Sequence, residues 1–118
     1  MTPTERLERW TAMIDEASAL AVDFRASLII DADHASPRLD MRLSALRGQV
    51  RAIDVTKLPY PAWEDAREFA WLAQGLVDES QTIGDRARHA EDLAFSAARL
   101  KAVLATTSAG RRRADLDD

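Results

Sequence analysis

The sequence predicts an all-α fold, an antiparallel bundle of three or four helices with a long N-terminal helix. Three observations carry this. Ala occurs 22 times while Gly and Pro occur four times each, and Ala is the strongest helix former. Long stretches repeat apolar residues at steps of three and four, the spacing of one helix face. Ser or Thr followed by Pro stands where such stretches begin, as at helix starts. The 118 residues suffice for one domain with a buried core. With 47% hydrophobic and 31% charged residues, global disorder is excluded. The bundle is expected over residues 1–109, followed by a tail at 110–118.

The first helix opens on Thr2-Pro3-Thr4-Glu5: an N-cap Thr, Pro at the first helical position, then Glu. Leu7, Trp10, Ile14, Ala17, Ala21, Phe24 and Leu28 then form a heptad-like seam. The helix is expected to end near Asp31. Its second half carries another stripe, Ala19, Val22, Ala26 and Ile29, about 100–120° around the axis from the seam. A two-helix hairpin would cover one stripe only. Another helix, from this chain or from a partner, is expected to cover the other.

"DADHAS" (31–36) interrupts the pattern, and Ser36-Pro37 restarts it. Leu39, Leu43, Leu46, Val50 and Ile53 give the second helix its apolar stripe. "TKLPYPAW" (56–63) reads as a linker, with Pro61 opening the next helix. From there Ala66, Phe69, Ala73, Leu76, Ser80, Ile83, Ala87, Ala90, Ala94 and Ala97 keep the spacing. One continuous helix over 61–107 would reach about 70 Å, well beyond the first. Two helices are therefore favoured, broken near Gly84 with Asp85 as the new cap. The Ala-rich stretch after 85 should pack tightly against a neighbour. Gly110 suits a C-cap.

Several function classes lack their residues. There is no Cys, which removes disulfides, thiolate metal sites and Cys nucleophiles. P-loops, nucleophile elbows, dinucleotide fingerprints and the Glu-x-x-His of di-iron bundles are absent. No cofactor and no enzymatic activity are expected. The N-terminus is charged from the start, and no stretch approaches a membrane span, so a cytoplasmic location without membrane insertion is expected. Net charge is −4, from a basic middle segment (+3 over 34–60) between acidic flanks.

Trp71 is the outlier. It would point almost directly away from the Phe69, Ala73 and Leu76 face, among Glu64, Arg67, Glu68, Gly75 and Asp78. A Trp beside a small residue and rimmed by charge resembles an interface anchor. The alternative is burial under a second layer of the same chain, or under the Arg67 stem. Trp71, Arg67, Glu68 and Gly75, with Ala19, Val22, Ala26 and Ile29, are the candidate interface residues. Trp10 and Trp63 read as packing residues.

Arg38, Arg42, Arg47 and Arg51 invite a nucleic-acid reading, but they flank opposite edges of the Leu stripe and make no single basic face. Pairing with carboxylates of the first and third helices is the expected role. Arg111, Arg112 and Arg113 are neutralised by Asp115, Asp117 and Asp118. His89 with Asp85 and Asp92, and Asp31, Asp33 and His34, are loose sets without a recognised metal pattern.

The expected function is a non-enzymatic protein–protein interaction module of the adaptor, chaperone or inhibitor type. An inhibitor of the phage-encoded kind, offering an acidic helical surface to a nucleic-acid enzyme, fits size and charge. The expected partner is another protein, a second copy of the chain, or both. Alternatives are a nucleic-acid-associated regulator using Arg38, Arg42 and Arg111–Arg113, and a bundle holding a small molecule or metal between its helices.

Overall fold

A computed structural model describes residues 2–30 and 37–117, the side chains of Pro3 and residues 107–117 excepted. The elements are α1 (Pro3–Ile30), α2 (Pro37–Arg51), two 3₁₀ turns (Val55–Lys57 and Tyr60–Ala62), α3 (Trp63–Val77) and α4 (Ile83–Asp117). No strand occurs among the described residues. Each helix packs on its chain neighbours, and α4 closes the ring onto α1. The four-helix form of the bundle is thus the one adopted. Pairs across the seams run in opposite senses. Glu68 meets Arg99 while Leu76 meets Arg86, and Asp15 meets Lys101 while Phe24 meets Arg86. Neighbouring helices α3/α4 and α4/α1 are therefore antiparallel. The molecule measures 57 × 24 × 19 Å, its long axis matched by the roughly 52 Å of a 35-residue helix.

The expected N-terminus forms. Thr2 Oγ1 accepts from the Glu5 amide at 3.1 Å, and Thr2 O from that of Arg6, satisfying donors that helix starts leave orphaned. The α1 seam turns inward: Trp10, Ile14, Ala17, Ala21 and Phe24 are buried, joined by Leu20. On α2, Leu39, Leu43, Leu46 and Val50 are buried. Ser36, the expected cap of α2, lies outside the described residues.

Three expectations are corrected. Pro61 does not open α3. It sits in a 3₁₀ turn, and α3 starts at Trp63, whose indole Nε1 donates to Leu58 O at 2.8 Å. The break between the third and fourth helices lies at 78–82, ahead of Gly84. Asp78 Oδ1 accepts from the Ser80 amide (2.9 Å) and hydroxyl (2.6 Å), and Thr82 Oγ1 accepts from the Asp85 amide. Asp78 thus holds the turn and Thr82 caps α4, leaving Asp85 inside the first helical turn. Gly110 lies within α4, which continues to Asp117. The backbone of 110–117 is therefore helical rather than a patternless tail.

The core also shifts phase at the turn. Ala66, Phe69, Ala73, Leu76, Ala90 and Ala97 are buried as expected, but on α4 Leu93, Leu100 and Leu104 join them, while Ala87 and Ala94 are only half-buried. α4 packs extensively against both α1 and α3, so it, not α1, is the central element. Two arginines from different helices cap the C-terminus of α3. Arg47 of α2 donates from Nε and Nη2 to Val77 O (3.1 and 2.7 Å), and Arg86 of α4 donates from Nε to Leu76 O (2.8 Å). Cations are favoured there because the last carbonyls are unpaired and the helix dipole ends negative.

Candidate interaction surface

The second stripe of α1 lies on the outside. Ala19 and Ala26 are exposed, as are Val22 (59%) and Ile29 (87%). Among the described residues no helix of this chain covers them: α2 and α4 flank α1 along the other faces, leaving this one to solvent. The asymmetry follows from the four-helix ring, in which each helix has two neighbours and one outward side.

Phe95 of α4 is also exposed, at 66%. The Lys101–Asp15 ion pair (2.6 Å) fixes the α1/α4 register. Counting equal rises in opposite directions from that pair brings Phe95 level with Ala21 and Val22. The periodicity reading missed Phe95. It lies about 180° from the middle of the α4 core stripe, and the test that singled out Trp71 would have found it.

Trp71 is 64% exposed, so burial under a second layer of the chain does not occur. Nor does Arg67 cover it. The Arg67 guanidinium lies over Trp63 instead, 5.9 Å from the ring centroid. Glu68 is held across the α3/α4 seam by Arg99 (2.6 Å). Gly75 is buried, and a Cβ there would collide with the His89 ring. It therefore offers no surface beside Trp71. The same His89 ring packs T-shaped with Trp71, centroids 4.9 Å apart at 78°, a favourable aromatic geometry. His89 is thus a packing residue of the α3/α4 seam. Of Trp71, Arg67, Glu68 and Gly75, the first three are exposed and Gly75 belongs to the interior.

The α2 arginines are engaged within the bundle. Arg42 reaches two α1 carboxylates, Glu16 (3.2 Å) and Asp23 (2.7 Å). The hydrogen bond to Asp23 leads the effects that hold its guanidinium more firmly protonated than usual. Arg47 pairs with Glu79 (3.1 Å) as well as capping α3. Arg38 and Arg51 are exposed on α2. With Arg42 committed to α1, Arg38 and Arg42 form no free basic row. The side chains of Arg111, Arg112 and Arg113 lie outside the described ones.

No group of three His, Cys, Asp or Glu side chains among the described residues is arranged to hold a metal ion, and His89 with Asp85 and Asp92 forms none. Asp31, Asp33 and His34 lie outside the described residues. None of the described helices is long and apolar enough to cross a membrane. No family model, curated protein or solved structure matches this chain.

Proposed function

We propose that the protein is a non-enzymatic helical interaction module, and that the outer face of α1 pairs with the same face of a second copy. The observation that carries this is the exposure of Ala19, Val22, Ala26 and Ile29 as one stripe. Their order is symmetric about residue 24. In an antiparallel pairing around a two-fold axis at that height, Ala19 faces Ile29 of the other copy and Val22 faces Ala26. Each contact then sets a small side chain against a large one, and an isologous interface needs such self-complementarity. Fully burying Val22 and Ile29 is worth about 1.5–3 kcal/mol each, part of which offsets the entropy of association.

The chain has no Cys, so cross-linking tests the register directly. Copies carrying Val22→Cys and copies carrying Ala26→Cys are mixed and oxidised. A cross-linked heterodimer is expected, with much less product from either variant alone, because a disulfide requires Cα atoms within about 7 Å. Light scattering should give a dimer whose population falls on dilution and after Ile29→Asp. A monomer at every concentration, with no preference for the mixed cross-link, would sink the self-pairing.

A further inference from the structure

A cleft of about 720 Å³ lies between the N-terminal half of α1 and the C-terminal end of α2, ended by the turn at 54–57. Its volume is in the range of small-molecule sites. Trp10, Met13 and Ile53 line it; Trp10 is buried, and the other two are half-buried against the core. Arg6, Arg9 and Lys57 also line it, and Arg9 and Lys57 are exposed. The cleft therefore joins an apolar wall to three cations.

The three cations of the cleft outnumber its two carboxylates, Glu16 and Asp54. Glu16 is shared with a cation outside the cleft, whereas Asp54 keeps its charge and attracts Lys57. Glu16 accepts from Arg42 Nε at 3.2 Å. Asp54 accepts from the Thr56 amide and hydroxyl at 3.0 and 2.6 Å. Among the described residues, no ion pair engages Arg6, Arg9 or Lys57; the cations that pair are Arg42, Arg47, Arg88, Arg99 and Lys101. We infer that this cleft binds a soluble organic anion: an aromatic or aliphatic body against Trp10, Met13 and Ile53, and a carboxylate or sulfonate head on the arginines and Lys57. Guanidinium groups suit such planar or tetrahedral oxyanions. The inference is independent of the self-pairing proposed above, which uses the opposite side of α1.

Two probes with the same body separate the charge from the apolar contribution. 8-Anilinonaphthalene-1-sulfonate carries the anionic head, and N-phenyl-1-naphthylamine lacks it. The sulfonate is expected to bind saturably, one per chain, with energy transfer from Trp10 in a Trp63→Phe, Trp71→Phe background. Arg9→Glu with Lys57→Glu should weaken it by about tenfold or more, while Arg25→Glu, a reversal elsewhere on α1, should not. Arg9, Arg25 and Lys57 are exposed, so a thermal melt unchanged from that of the Trp63→Phe, Trp71→Phe background is the folding control. Dodecanoate should displace the sulfonate, and the protein should stay in the supernatant with phosphatidylglycerol vesicles. Absence of saturable binding, equal affinity for the neutral probe, or equal weakening by Arg25→Glu would overturn the site. Sedimentation with the vesicles that Arg9→Glu abolishes would reassign the head group to a membrane lipid and overturn the soluble ligand.

Discussion

His89 of α4 lies directly over Gly75 of α3, in space that no Cβ at position 75 could share. The glycine is there because the imidazole of the facing helix needs the room. The same imidazole packs against Trp71, the two rings nearly perpendicular, while most of the Trp71 surface stays outside.

Gly75→Ala should destabilise the fold. Ala gains about 1 kcal/mol of helix propensity over Gly, but overpacking at a helix seam costs about 1–3 kcal/mol, and the atoms in the way include the inner ring atom Cγ, which cannot simply swing away. A lower melting temperature is expected, recovered when His89→Ala is added. A more stable single variant would mean that the ring leaves the seam in solution.

Trp71→Ala should cost little in a monomeric sample, under about 1 kcal/mol, in the range of surface substitutions with one lost ring contact. Trp10→Ala should cost about 3–5 kcal/mol, since Trp10 is in the core. Urea unfolding of the two variants side by side checks the contrast. Equal losses would place Trp71 under cover.

Ser96 is buried, and its hydroxyl has no hydrogen-bond partner among the described residues. Removing an unsatisfied buried polar group relieves a penalty of about 1–3 kcal/mol. Ser96→Ala should therefore raise the melting temperature, helped by the propensity of Ala. A decrease would reveal a partner for the hydroxyl.

The two arginines that cap α3 should differ. Arg47→Met loses two bonds to Val77 O and the pairing with Glu79, and a loss of about 1.5–3 kcal/mol is expected for bonds to a charged group. Arg86→Met should cost less. Burial pushes the Arg86 guanidinium below its ordinary pKa, so removing the charge also removes a desolvation cost. Met keeps an apolar stem beside Phe24, over whose ring the guanidinium sits at 5.0 Å. The melting temperatures of the two variants give the order.

Stability should fall with acid through Asp54 and Asp78. Each carboxyl is held below the usual aspartate range, first by a side-chain hydrogen bond, from Thr56 and Ser80 respectively, then by the backbone amide of the same residue. A depressed folded pKa means that the unfolded chain takes up the proton first. The contribution is thus full above the ordinary aspartate pKa of about 4 and is lost as pH drops below it. Asp54→Asn with Asp78→Asn keeps the turn-forming shape. Its deficit in melting temperature relative to the unaltered chain should be present at neutral pH and shrink below about pH 4.

Local chemistry made much of this fold legible in the sequence. Thr2-Pro3 starts α1, and the spacing from Trp10 to Phe24 names its buried face, because caps and helical periodicity act within a few residues. The break at 78–82 was legible too, in Asp78, Ser80 and Thr82. It was obscured because Leu76, Ser80 and Ile83 keep an apolar spacing straight through it. What only the tertiary structure decided is which faces have neighbours. A stripe says that a surface is apolar, yet nothing in its period says what will lie against it. The same reading gave Ala17 and Ala21 to the core and left Val22 and Ile29 undecided. Arg47 reaching Val77, and His89 filling the space at Gly75, join residues far apart in sequence. Those contacts exist because packing four helices in a ring fixes two neighbours for each and leaves one side of α1 to the solvent.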